Sequence, residues 1–283
     1  MTNKDTAFRT ARAVTGFLAG LVLAGLSTGA GAAETGAFTA TYSISIAGIP
    51  IGKAAAESRF NGSRYTLTIN GFTSGVSRLV SDATANLASN GSIYGGRVLP
   101  VSYRLDTVEG RHTSSIEIRM SGGTVTAVKA VPELRESPDR VPLNGKDKRN
   151  VVDPLSALIL PAPGVANMTA EQACDRTVRI FDGWQRFDVR LSFKRQREIK
   201  GPDGAYSGPV YVCGARFIPV AGHVPKRVKS LANNKSIEIW LAPISDMSLL
   251  VPYSIQLSIP LGTLVVRANH LRFGPPSERA AAE

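Results

Sequence analysis

The sequence predicts an all-β protein: one large, strongly curved antiparallel sheet forming an open or spiral barrel, with one or two short helices. A two-sheet β-sandwich is the alternative. Three observations carry this. Apolar and polar residues alternate with period two through most of the chain, the signature of half-buried strands. Asn-Gly, Gly-Gly and Asp-Gly pairs punctuate those runs as hairpin turns. Helical periodicity is scarce. A sheet of roughly a dozen strands with one apolar face must curl, close or split into packed layers.

From Phe38 to Ile46 every even position is apolar and every odd position carries a hydroxyl. Ala47 to Gly52 supplies turn chemistry, and Lys53–Phe60 reads as the returning strand, ended by Asn61-Gly62. Tyr65, Leu67 and Ile69 then alternate with Thr66, Thr68 and Asn70. Further strands are expected around 82–89, 97–106, 114–120 and 124–130, with turns at Asn90-Gly91 and Gly122-Gly123. Residues 131–150, rich in proline and mixed charge, form a long loop between two β-rich halves. In the second half, strands fit 178–181, 186–194, 208–219, 236–241, 252–259 and 263–273. Two short helices are expected, at Ser74–Val80 and at Asp153–Leu160. In the second, Asp153 caps the first turn, Pro154 suits the first helical position, and Pro161 and Pro163 end it.

The N-terminus reads as an address. Arg9 and Arg12 precede an uncharged run of 14 residues, Ala13–Leu26, and Ala30-Gly31-Ala32-Ala33 offers a cleavage site. This is the pattern of a secretory signal peptide, and the run is shorter than the roughly 20 residues that span a bilayer. The expected organisation is a signal peptide over 1–33, a single β-rich domain over 34–274 and a disordered tail over 275–283. The expected location is the periplasm, with no transmembrane segment in the mature chain. Residues 1–32 hold three of the 33 basic and one of the 22 acidic residues, so 30 and 21 remain and the net charge stays at +9. In an exported chain this balance suits anionic lipid headgroups or envelope polymers rather than nucleic acid, or serves solubility alone.

Candidate chemistry is sparse. The two cysteines, Cys174 and Cys213, are an even pair in an exported chain and read as one structural disulfide. Cys213 shares a strand face with Tyr211, Ala215 and Phe217, which turns its thiol inward. His112, His223 and His270 have no metal-ligand spacing, so neither a metal nor a cofactor is expected. Asp153, Ser156 and His223 could form a hydrolytic triad on paper. However, no G-x-S-x-G surrounds Ser156, and a capping Asp beside a helical Ser is the ordinary alternative. Phe181-Asp182-Gly183-Trp184-Gln185-Arg186 reads as a tight turn with Trp184 packed across it. Alternatively, Trp184, Arg186, Arg190 and Lys194 form an exposed aromatic and basic patch for a ligand or partner.

The Ala40–Gly52 pattern A-x-Y-x-I-x-I-x-G-I-P-I-G resembles the opening of exported bacterial proteins grouped as domain-of-unknown-function family 3108. So do Asp153–Leu158, Phe181-Asp182-Gly183, Tyr206–Cys213 and Phe217–His223, over roughly residues 38–270. Trp184-Gln185 departs from that likeness, where a basic or polar residue would follow the glycine. The resemblance implies a periplasmic β-rich protein and carries no catalytic residues with it. In architecture the chain is also similar to half-barrel lipoprotein carriers, which hold acyl chains or peptides against a concave apolar sheet. The functional expectation is a non-enzymatic cell-envelope protein that binds a lipid, another hydrophobic ligand or a periplasmic protein partner in or on its curved sheet. The alternative is an envelope hydrolase acting on a surface polymer.

Overall fold

Fourteen strands form one antiparallel sheet that curls into an unclosed barrel. The computed structural model describes residues 35–79, 82–134, 137–202 and 205–274. The expected signal peptide and C-terminal tail lie outside the described residues. The strands of the first half are β1 (Thr35–Ile46), β2 (Ile49–Asn61), β3 (Arg64–Thr73), β4 (Ala83–Tyr94), β5 (Arg97–Glu109), β6 (His112–Ser121) and β7 (Thr124–Val131). Those of the second are β8 (Leu160–Pro161), β9 (Thr177–Phe181), β10 (Arg186–Ile199), β11 (Gly208–Ala221), β12 (Ile237–Ile244), β13 (Leu249–Ile259) and β14 (Gly262–Gly274). Their order is β7-β6-β5-β4-β3-β2-β1-β14-β13-β12-β11-β10-β9, with β8 beside β13. The pairing of β1 with β14 joins the two halves into one meander.

β7 and β9 are the two ends of this order. Residues 149–152 stitch them together: Arg149 bridges Thr124, the Val151 amide donates to the Gly123 carbonyl at 3.0 Å, and Val152 makes a parallel bridge to Ile180. The turn between β9 and β10 leans on β6. A Cβ at Gly183, whose φ is +95°, would lie 2.6 Å from Ile116 Cγ2, so only glycine fits there.

The sheet buries both faces of its second half. The concave core collects Phe38, Tyr65, Ile118, Val210, Val251 and Leu271 from both halves. A second core lies on the convex side, where Leu191, Tyr211, Cys213 and Leu241 are covered by residues 160–174, including helix α1 (Ala170–Cys174). The alternation predicts strands with a single apolar face, and the second half departs from it. The correction follows from the near-continuous apolar runs 210–213 and 249–252, which suit strands covered on two faces. The Cys174 and Cys213 sulfurs are at disulfide distance, 2.01 Å, and tie α1 to β11.

Asn90-Gly91 is no turn: it lies inside β4, opposite a bulge at which β5 carries the extra residue Val101, and Gly91 is needed because a Cβ would run into the Leu99 carbonyl and the Tyr65 hydroxyl. The turn comes instead at Gly95-Gly96. The expected helix at Asp153–Leu160 shrinks to a single 3₁₀ turn, Ser156–Leu158, because Ile159 is extended and leads into β8. The expected Ser74–Val80 helix is a 3₁₀ turn over Gly75–Leu79, with Val80 outside the described residues. Helices α1 and α2 (Pro225–Asn233) were not expected.

The strand register sorts the connections into two rims. The upper rim carries the turns at 47–48, 110–111, 182–185 and 260–261, together with α2; the lower carries those at 62–63, 95–96 and 122–123.

Candidate functional site

The segment between β7 and β8 enters the barrel as a plug. Its sequence, Asp153-Pro154-Leu155-Ser156-Ala157-Leu158, folds back on its own carboxylate. Asp153 Oδ1 accepts from the amides of Leu155 and Ser156 at 3.0 and 2.9 Å. Oδ2 accepts from the hydroxyls of Ser156 at 2.5 Å and Ser89 at 3.0 Å. The Ser156 hydroxyl also lies 2.7 Å from that of Tyr65 and 2.8 Å from that of Ser89. Thus β3 and β4 hold the plug through two side chains on the concave face. Asp153 and Ser156 have no exposed surface. Burial pushes the Asp153 carboxyl above its ordinary pKa, opposed by the hydrogen bonds of Ser156, Ser89 and Leu155. Burial likewise pushes the Tyr65 hydroxyl up. The Ser156 hydroxyl therefore faces a saturated network, and His223 is not among its partners.

Above the plug, toward the upper rim, lies an apolar cavity of about 190 Å³. Leu155, Leu158 and Ile159 of the plug form one side. Phe38, Ala56, Leu67 and Val251 line its lower part; Tyr42, Ala54, Ile69 and Val266 line it toward the hairpin tips. The Tyr42 hydroxyl donates to the Pro252 carbonyl at 2.9 Å, so the ring, not the polar atom, meets the cavity. Burial raises that hydroxyl to about 12. The space exists because β2 presents only alanines to it, Ala54 and Ala56, where the other walls present large side chains such as Phe38, Tyr42 and Leu155.

The residues proposed as a patch do not share one exposed surface. Arg186 is 1% exposed; its guanidinium pairs with Asp188 at 2.7 Å and donates to the Phe187 carbonyl. Trp184 is half-buried beneath the Arg140 guanidinium, 4.4 Å from its ring centroid. The turn itself is held by Asp182, whose Oδ1 accepts from the amides of Trp184 and Gln185 at 2.8 and 2.6 Å. Lys194 is exposed but paired with Glu238 at 3.0 Å, beside Arg195 at 2.8 Å from the same carboxylate. Arg190 is exposed. Among the described residues no three His, Cys, Asp or Glu side chains gather as a metal site, and no helix is long and apolar enough to cross a membrane.

Residues 41–269 match the model of the family described as "Protein of unknown function (DUF3108)". The chain belongs to this family. No curated protein matches it. Among solved structures it is similar to a "Beta-barrel-like Protein of Domain of Unknown Function DUF1849" from Brucella abortus. The identity is 11% and the TM-score 0.48, over 86% of this chain and 100% of that one.

The family match spans the plug and every cavity wall except Phe38. Sequence reasoning singled out Asp153 and Ser156 but missed Tyr65, Ser89 and the cavity. One signal was available: the run Gly52-Lys53-Ala54-Ala55-Ala56 places small residues at three successive concave positions, an unusual absence of bulk for a barrel interior.

Proposed function

We propose that the protein is exported and acts without catalysis as a binder of an apolar chain, such as the acyl tail of a lipid, held in the cavity above the plug. One observation carries this reading. The barrel interior is not filled at the level of Ala54, and what surrounds the gap is almost wholly apolar. Ligand sites are concave and mostly apolar, and even an apolar cavity of roughly 150 Å³ holds a benzene-sized guest. A volume of about 190 Å³ suits a hydrocarbon segment somewhat larger than that guest, with the rest of a chain and any head group left at the mouth. The N-terminal signal pattern supports export. The hydrolase alternative draws nothing from Asp153 and Ser156, whose polar atoms are enclosed and used to anchor the plug.

The test is saturable binding of a fluorescent fatty acid. The wild-type protein is expected to bind at one site, and Ala54→Phe, which fills the cavity, to abolish binding while keeping the melting temperature. Absence of saturable binding, or undiminished binding by Ala54→Phe, overturns the reading.

A further inference from the structure

We infer that the upper rim docks on an anionic lipid bilayer, so that the cavity mouth faces the membrane. This rests on the cavity reading for its purpose, but its evidence is separate. Of the nine large apolar side chains left exposed among the described residues, only Tyr94 and Val101 lie away from the upper ends of the strands. Two of the upper ones are at the tips of two neighbouring hairpins. Leu261, on the β13–β14 turn, is 76% exposed, and Ile49, beside the β1–β2 turn, is 52% exposed. Phe72, also exposed, lies on β3, paired in register with Lys53 of β2, four residues along that strand from Ile49.

The two tips are fixed side by side. The Ala47 amide donates to the Thr263 carbonyl at 3.0 Å, and a Cβ at Gly262 would lie only 2.8 Å from Ala47 Cβ. On the other flank, the Ser74 amide and the Ser77 hydroxyl both donate to the Ile51 carbonyl, bracing the β2 end of the tip. Clustered exposed apolar residues of this kind mark protein or membrane contacts.

Charge selects the membrane. Residues 216–236 hold Arg216, Lys226, Arg227, Lys229 and Lys235, with no acidic residue among them. All five side chains are exposed. This stretch contains α2, whose C-terminal end is tied to the apolar tips, with Asn234 donating to the Ser258 carbonyl at 2.7 Å. Apolar side chains that reach the acyl boundary beside lysines and arginines that reach the phosphates are the two components of interfacial binding. Tyr42 and Val266 line the cavity on the side nearest this rim, so an acyl chain would have its shortest route from the bilayer there.

Co-sedimentation with vesicles tests this. Wild-type protein is expected to sediment with vesicles containing phosphatidylglycerol, to be released by salt, and to stay in solution with phosphatidylcholine alone. Lys226→Glu combined with Lys229→Glu is expected to weaken binding by at least ~20-fold, and Leu261→Asp by about tenfold. All these positions are exposed, so the melting temperature and fatty-acid binding in solution should be unchanged. Equal binding to both vesicle types, no binding to either, or variants that bind like wild type would overturn the inference. A protein that sediments as described yet holds no fatty acid would support the rim and remove the cavity reading.

Discussion

Replacing Asp153 by Ala should loosen the plug and cost about 3–5 kcal/mol. The carboxylate accepts four hydrogen bonds within 3.0 Å. In the variant the amides of Leu155 and Ser156 lose this acceptor, while the Ser156 hydroxyl can turn to Tyr65 and the Ser89 hydroxyl to Ser156. Each buried donor left unpaired costs roughly 1–3 kcal/mol. Against this, the variant no longer buries a carboxylate whose pKa burial has raised. The net loss is large beside a total stability of about 5–15 kcal/mol. Asp153→Asn keeps one acceptor for the two amides and should lose only about 1–2 kcal/mol. Urea unfolding at constant m reads both values. The sign of the pH dependence is also set. Because the folded pKa is raised, the native state takes up a proton before the unfolded chain does. Wild type therefore gains stability relative to Asp153→Asn as pH falls through the folded pKa toward about 3.9, and the gain is complete below that value. A loss below about 1 kcal/mol for Asp153→Ala, within the range of ordinary surface changes, would refute the account of the network.

Cys213→Ala should lower stability by about 2–4 kcal/mol, because the bridge closes a loop of 39 residues, and differential scanning calorimetry reads the fall. Gly183→Ala should cost more than about 2 kcal/mol, since its φ is +95° and the new Cβ would meet Ile116; the fall should shrink in the double variant Gly183→Ala, Ile116→Ala. Glu238 is held at about 2, below its ordinary 4.5, first by hydrogen bonds from Arg195 and then by those from Lys194 and Trp240. Its contribution is present above the ordinary value and lost as pH falls toward 2. The stability difference between wild type and Glu238→Gln in urea should accordingly be larger at pH 7 than in strong acid.

The sheet was legible in the sequence because alternation and turn chemistry agree along β1 to β7. Even positions of β1 and β2 face the concave core as their pattern requires. Asn90-Gly91 misled because its glycine answers a close approach across the β4–β5 pair and not a turn: the Leu99 carbonyl crowds Gly91 where β5 bulges at Val101. The helix at Asp153 was half legible: the capping side chain makes its expected bonds, yet tertiary pairing of Leu160 with Leu250 draws the chain straight after one turn. Arg186 was out of reach. Its charged neighbours suggest an exposed basic patch, but it is 1% exposed and its guanidinium is held by Asp188 and the Phe187 carbonyl. The cavity depends on how side chains from β1, β2, β3, β13, β14 and the plug meet, and no local pattern reports such a convergence.

Native mass spectrometry of protein purified from the organism that encodes it tests the central claim most directly. The account predicts one apolar molecule per chain, extractable as a fatty acid or lipid and absent from Ala54→Phe prepared in the same way. A mass equal to the polypeptide alone in wild type, or the same adduct on Ala54→Phe, would contradict it.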